Sequence, residues 1–473
     1  MSAPHVVVVG GGLAGLSAAV ACADGGARVT LLESRPRLGG ATWSFRRNGL
    51  SFDNGQHVYM RCCTAYRRFL ERIGSSSLAP MQDRLEIPVL RPSSRGTPTL
   101  SWIRRGRLPA PLHLGASLLG YRHLGVADRA RLGRAVLALR ALRLTDPALD
   151  AETFGSFLSR HGQSEDAVAA LWDVITLPTV NLRSDEASLA LAAKVFRTGL
   201  LSDAGAADLG WARVPLSRLH ADAAAEALRR AGAHVRTGAK VAALRTGPGP
   251  SGATSAVTGV VVDGHHLEAD AVVLAVPHEA AAGLLPAGGS VDPAALPGLG
   301  RSPIVDVHVV YDRRVLPYEV AAAVGSPVQF AFDTTRSSGL DPADGQVVAV
   351  SVSGADSEHG ERPEALVERY TSALATLFPA ARGAKVVDAV VSREHAATFR
   401  GRPGTQRLRP RPDVGVPGLH LAGAWTDTGW PATMEGAVRS GVAAAADVMR
   451  SVGRERAVSC PGALHEHAEE VVA

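Results

Sequence analysis

The sequence predicts an α/β fold, and three observations carry that prediction. An unbroken valine run, Val6-Val7-Val8-Val9, opens the chain and ends in glycines; a second apolar run, Val29-Thr30-Leu31-Leu32, follows one helix length later. Two further runs, the apolar Ala271-Val272-Val273-Leu274-Ala275-Val276 and the short Leu419-His420-Leu421-Ala422 ending in a glycine, lie far along the chain. Small-residue and amphipathic helical patterns separate them. Continuous apolar strands alternating with helices are what a parallel sheet covered on both faces requires.

The first turn is the most informative element. Gly10, Gly12 and Gly15 stand in the spacing Gly-x-Gly-x-x-Gly between a strand and a helix. This spacing permits a tight turn, close backbone approach to a pyrophosphate, and close packing of helix on strand. Free N–H groups near Leu13 and Ala14 would face the phosphates, aided by the helix dipole. Glu33 ends the second strand, where a carboxylate can accept from both hydroxyls of an adenosine ribose. An acid here selects a free 2′-hydroxyl, so FAD or NAD rather than NADP. The alternative, a glycine-rich turn in an unrelated α/β protein, explains neither the strand–helix context nor Glu33.

The next segment, Ser34-Arg35-Pro36-Arg37-Leu38-Gly39-Gly40-Ala41-Thr42, follows directly. Adjacent glycines again allow a ligand to approach the backbone, and Arg37 offers a phosphate contact. This segment resembles the second dinucleotide stretch of the amine oxidase–phytoene desaturase superfamily of flavoproteins. The resemblance implies bound FAD, lined here by Ser34, Arg37, Gly39, Gly40 and Ala41. It also implies that Val241 pairs its backbone with the adenine. Near the C-terminus, residues 418–438 resemble the segment that closes over the isoalloxazine in that superfamily. Gly423, Trp430, Thr433 and Met434 are then flavin-proximal, and a helix from Met434 to about Met449 points its positive end at the flavin. One departure is Ala424, where many relatives carry an acid touching the ribityl chain.

At 473 residues the chain is too long for one core. The superfamily resemblance implies a discontinuous Rossmann-like FAD-binding domain with an inserted mixed helical and β-sheet substrate domain. Residues 1–81 are expected to form the first FAD-binding part, 82–207 a helical substrate domain, and 208–285 the second FAD-binding part. Residues 286–400 form the substrate-domain sheet, 401–450 the last FAD-binding part, and 451–473 a poorly ordered tail. Within these, Thr64 to Ile73 reads as a helix with Tyr66, Phe69, Leu70 and Ile73 on one face.

Composition narrows the class. Hydrophobic residues make up 46% and charged residues 20%, which excludes wholesale disorder. The net charge of +5 is almost all arginine. It comes without a nucleic-acid-binding motif, so no nucleic-acid partner is expected. Cys22, Cys62, Cys63 and Cys460 show no metal-binding spacing and read as thiols in a reducing compartment. No metal is expected. With no secretory leader and no apolar stretch of about 20 residues, the expectation is a cytoplasmic protein, peripheral on the inner membrane face.

A closer resemblance uses four blocks in order: Asp53-Asn54-Gly55-Gln56-His57; Leu171-Trp172-Asp173 through Asn181; Asp208-Leu209-Gly210-Trp211 with Val214-Pro215-Leu216-Ser217-Arg218-Leu219; and Trp425 to Thr433. Together they are similar to the squalene-associated FAD-dependent desaturases, the hydroxysqualene dehydroxylases. The resemblance spans roughly residues 5–450. It implies reductive removal of a hydroxyl from hydroxysqualene to give squalene, and association with other enzymes of squalene synthesis. The chemistry needs a hydride from reduced flavin, a proton donor for the departing hydroxide, and an apolar enclosure for a long chain. His57 and Gln56 are the first candidates for the donor, then Asp427 and Asp208; His57 reads more readily as a hydrogen-bonded structural residue beside Asn54. An amine substrate is disfavoured. Where amine oxidases carry the second aromatic of their cage, this chain has Thr433, leaving Trp430 as the one candidate. The alternatives are a carotenoid or phytoene desaturase, or a non-catalytic FAD-bearing partner of a lipid synthase complex.

From Arg91 to Arg143 the chain carries eleven arginines and a single acid, Asp128, with Leu108, Leu112, Leu114, Leu118 and Leu119 among them. Such a segment suits either an anionic membrane surface or a solvated face over an ordinary core.

Overall fold

A computed structural model of the chain describes residues 2–94, 96–248 and 255–454. Of the expected tail, residues 455–473 lie outside these, and Ser451 is the last residue of a helix. Cys460 and Arg95 also lie outside them.

Five parallel strands form the nucleotide sheet in the order Leu419–Leu421, Ala271–Leu274, His5–Val9, Arg28–Glu33, His234–Thr237. Alternation within the valine run sends Val6 and Val8 to one face and Val7 and Val9 to the other. Helices Leu13–Asp24, Ala223–Arg230 and Met434–Ser451 cover the first face. A three-stranded antiparallel sheet, Val241–Pro248, Ser255–Val262 and His265–Glu268, covers the second. Burial on both faces explains why the central strands His5–Val9 and Ala271–Leu274 are apolar without a break, whereas the edge strand His234–Thr237 is polar and partly exposed. The first and last helices cross closely: a Cβ at Gly441 would fall 2.0 Å from Ser17 Oγ and 2.1 Å from the Ala14 carbonyl oxygen.

The other layer is a seven-stranded sheet in the order Val386–Thr398, Ser302–Tyr311, Gln346–Ser353, Phe330–Asp333, Val320–Ala323, Glu86–Arg91, Thr99–Arg104. Its last two strands fall at the start of the largely helical part 82–207, where prolines break up a β-like stretch before the helical periodicity begins. Glu86–Arg91 accommodates Pro88 because parallel pairing to the inner strand involves only Val89 and Leu90. The helical insert follows, with helices Val126–Ala141, Phe154–Arg160, Asp173–Val180 and Leu189–Phe196 around Phe154, Phe157, Trp172 and Phe196. Asn181, left-handed at the end of one helix, ties the insert to the sheet by donating to Ser302 O and Thr398 Oγ1, each at 3.0 Å.

Strand Ser302–Tyr311 positions the site. Val305, Val307 and Val309 pack under helix Pro363–Leu377. Asp306 and His308, on the opposite face, meet the segment 52–57 of the nucleotide domain.

Candidate functional site

The glycine turn sits at the carboxyl end of the central strand, the position where open α/β sheets bind ligands. Gly10 adopts φ +109°, and a Cβ on Gly15 would lie 1.8 Å from the Gly10 carbonyl oxygen, so helix and turn touch without side chains. The second glycine pair closes over the first. Gly39 N donates to Gly11 O at 2.8 Å, and a Cβ on Gly40 would lie 2.7 Å from Gly12 Cα. Gly10, Gly12, Leu13, Ala14, Gly15, Gly39 and Gly40 are thus brought into one walled turn, with Ala41 exposed at its rim. Glu33 Oε2 accepts from Gly11 N at 2.6 Å, and Oε1 accepts from Arg35 N at 2.8 Å and Ser34 Oγ at 3.2 Å. Each oxygen keeps further acceptor capacity. Arg37 lies over the Trp43 ring at 3.9 Å and donates to Gly40 O.

The other wall comes from the C-terminal part. Gly423 lies two residues beyond the strand Leu419–Leu421, and its N–H donates to Ser440 Oγ at 2.8 Å. Thr433 caps the last helix, accepting from Gly436 N at 3.2 Å, with Met434 the first helical residue. Between them the loop 424–430 is held by an arginine that sequence reasoning passed over. Buried Arg409 donates to the carbonyls of Thr426 at 2.6 and 3.1 Å and Trp430 at 2.8 Å, and to Gln406 Oε1 at 3.0 Å. Burial brings its guanidinium down to about 10. Trp430 is buried, with Lys194 5.5 Å and Arg439 5.1 Å from its ring centre. Val241 begins a strand of the small antiparallel sheet and is buried.

Two of the resembling blocks meet at the domain junction. Asp53 Oδ1 accepts from Ser44 Oγ at 2.6 Å and from Leu216 N at 3.0 Å, and Ser217 Oγ accepts from Ser44 N. Strand Leu209–Trp211 pairs with Val58–Met60. Gln56 N donates to Asp306 Oδ1 at 3.2 Å, while Gln56 Oε1 and Asp306 Oδ2 have no hydrogen-bond partner among the described residues. His57 Nδ1 is 2.8 Å from Gly55 O. Glu394 accepts from Asn54 Nδ2 and Trp43 Nε1.

Electrostatics separates these groups by role. Burial pushes Asp306 up to about 7, against hydrogen bonds from Ser351 and Gln56, with Glu394 and Asp53 adding to the rise. Asp53 is raised to about 6 by burial, against its bonds to Ser44 and Leu216. Desolvation lowers His57, and brings His308 to about 4 and His220 to about 3. The histidines are therefore neutral near pH 7, while Asp306 holds a proton for much of the time.

The four donor candidates named above do not converge. His57 and Gln56 lie in this junction. Asp208 is fully buried elsewhere, accepting from Arg105 Nε at 2.6 Å, Arg61 Nε at 3.0 Å and Leu85 N at 2.7 Å. Burial alone would raise it, but the two guanidiniums hold it below the usual carboxylate range, so it has no proton to give. Asp427 is exposed and accepts from Gln406 Nε2 at 2.7 Å. Neither lies with His57 and Gln56 at the junction. Asp306 and His308 were missed although a signal was present: two polar residues at period two interrupt an otherwise apolar strand, marking a face turned toward something other than the core.

A parallel sheet with a double-glycine turn at its carboxyl end, joined to a second sheet across a buried polar junction, defines a nucleotide-binding α/β protein. Residues 13–449 match the family model "Flavin containing amine oxidoreductase", and the chain belongs to that family. It is a flavin-dependent oxidoreductase. Among relatives, a hydroxysqualene dehydroxylase of Rhodopseudomonas palustris is 29% identical over 95% of this chain and 99% of its own. A zeta-carotene desaturase of Zea mays is 24% identical over 92% of this chain and 82% of its own. An oxidoreductase structure from Methanosarcina mazei superposes with a TM-score of 0.70 at 17% identity, over 94% of this chain and all of the other, a likeness of fold.

Proposed function

We propose that the chain is an FAD-dependent hydroxysqualene dehydroxylase, reducing the carbon that bears the hydroxyl and releasing water. The observation that carries this reading is the end-to-end similarity to a hydroxysqualene dehydroxylase combined with the four sequence blocks. The choice of FAD rests on the Glu33 carboxylate beside a double-glycine turn that no Cβ could enter. Gly10–Gly15 would receive the pyrophosphate, Glu33 the ribose, and the Thr433-capped helix end the flavin ring. When bound and reduced, FAD supplies the hydride.

The remaining requirement is a proton for the hydroxide that leaves. We assign it to Asp306, whose Oδ2 is unpartnered beside Gly55 and whose Oδ1 orients the Gln56 amide. In balance, the C–O bond breaks, a C–H bond forms with the hydride, and the proton from Asp306 completes the water. The Trp430 surroundings argue against an amine substrate: a buried ring with two cations already near it would repel a third.

The similarity to a zeta-carotene desaturase supports a second reading, oxidation of a polyene by oxidised FAD. An anaerobic single turnover separates them. Dithionite-reduced protein is mixed with hydroxysqualene, the flavin band is followed, and extracted lipid is assayed. Flavin reoxidation in step with squalene formation is expected. Flavin that stays reduced with substrate recovered intact overturns the dehydroxylase reading, and the oxidised protein is then assayed with phytoene and an electron acceptor. Turnover there establishes the desaturase; none leaves the non-catalytic FAD carrier.

A further inference from the structure

The segment 104–141 carries an apolar surface that the core does not use. Leu108, Leu112, Leu119, Val126 and Leu137 are 58, 61, 70, 77 and 66% exposed. Elsewhere among the described residues only the adjacent Val386 and Val387 stand out as exposed large apolar side chains. An isolated exposed leucine needs no explanation, but five within one short stretch do.

Hydrogen bonds hold the stretch together as one body. Gly106 N donates to His113 O at 2.6 Å, and Ser117 Oγ accepts from Arg104 N and donates to Trp102 O. Arg129 Nη1 donates to Leu119 O at 2.6 Å, fixing the start of helix Val126–Ala141 against the end of the short helix Gly115–Leu119.

Helix Val126–Ala141 is apolar on two sides. Leu132, Ala135 and Leu139 are buried against the insert core. Val126 and Leu137, about three turns apart, share the opposite side with exposed Ala130, Gly133 and Ala141. A helix with apolar residues on both sides is covered on both. The charges name the cover. Exposed Arg107, Arg122, Arg131, Arg134 and Arg140 have no carboxylate partner among the described residues. The one acid of the stretch, Asp128, is turned to Ser164 Oγ at 2.9 Å. Apolar side chains interleaved with unpaired arginines, without acids, are complementary to an anionic leaflet: aliphatic groups enter the acyl boundary while guanidiniums meet phosphates.

We propose that this face docks the enzyme onto an anionic lipid bilayer. The reading stands independently of which polyprenoid the enzyme takes. The insert core is continuous beneath it, from Leu114 and Leu132 to Trp172 and Phe196, with Met60 packed against it.

Vesicle flotation tests it, with phosphatidylcholine vesicles carrying about one third phosphatidylglycerol and pure phosphatidylcholine vesicles as comparison. The flavin-loaded protein should float with the anionic vesicles, weakly with the neutral ones, and less as salt is raised. Two variants follow, Leu119→Asp with Val126→Asp, and Arg122→Glu with Arg134→Glu. Both should keep the wild-type flavin spectrum and thermal midpoint, since the positions are exposed, and each should lower partitioning at least about tenfold. Wild-type protein that stays at the bottom of the gradient overturns the proposal, as does undiminished flotation of both variants. Sedimentation showing self-association through this face, with no vesicle binding, assigns it to a second copy and overturns it equally.

Discussion

Glu33 Oε2 accepts the backbone N–H of Gly11 at 2.6 Å, joining the end of one strand to the turn that leaves its neighbour. A charged acceptor on a backbone amide is among the stronger hydrogen bonds. The residue expected to recognise a ribose thus also shapes the loop that would receive the pyrophosphate.

Glu33→Gln keeps the size and removes the charge. Flavin affinity should fall about tenfold to a hundredfold, because a neutral amide accepts more weakly and can turn an NH₂ toward Gly11. Titration of the apoprotein with FAD, followed by flavin fluorescence, measures this. Unchanged affinity would detach Glu33 from the cofactor site.

Asp306→Asn should lower hydroxysqualene turnover about a hundredfold or more, if the carboxyl is the proton source. In the wild type, turnover should decline as pH rises through about 7, where Asp306 ionises; the variant should lack that decline. Stability moves with it. The folded-state value of Asp306 lies above its unfolded value, so this carboxyl contributes stability that is lost as pH rises from about 4 to about 7, by up to roughly 4 kcal/mol. Asp306→Asn should remove that contribution, seen as a difference between variant and wild type, while Asp53, raised to about 6, adds a loss of the same sign and the lowered His220 and His308 oppose both. Urea denaturation at several pH values reads it directly.

Arg409→Lys keeps a charge but loses the planar fork that reaches Thr426, Trp430 and Gln406 together. Each buried carbonyl left without a donor costs about 1–3 kcal/mol. The variant should purify with reduced flavin content and a lower thermal midpoint, and excess FAD should restore part of both. A fully flavinated variant of wild-type stability would show that loop 424–430 holds itself.

Gly441→Val tests the contact between the first and last helices. Its Cβ would enter the space of Ser17 Oγ and Ala14 O, both backed by the rigid first helix. Destabilisation of about 3 kcal/mol or more is expected, seen as insoluble protein or a sharply lowered melting temperature. Gly133→Val, at a glycine with open space around its Cβ position, should be nearly neutral and serves as the control.

Local patterns were legible wherever chemistry and spacing are local. The helix Thr64–Ile73 falls where its periodicity puts it, burying the four expected residues. The strands around 304–311 and 347–352 and the C-terminal helix also fall within a few residues of expectation. The hairpin Glu86–Arg91 with Thr99–Arg104 was obscured because its prolines read as breaks, while its place in the sheet depends on Val320–Ala323, more than two hundred positions away.

By itself, then, the sequence determined the α/β class, the nucleotide turn and its acid, the helix N-terminus behind Thr433, and the excess of arginine over acid between residues 91 and 143. Each is a matter of residue type at short spacing. Only the tertiary structure decided which polar groups share a dielectric environment. It set Asp208 between two arginines and Asp427 in solvent, and it buried Asp306 against Gln56 without a cation. It also divided the leucines of 104–141 between core and surface. Proton affinity and exposure depend on neighbours brought together from distant parts of the chain, and no local pattern encodes them.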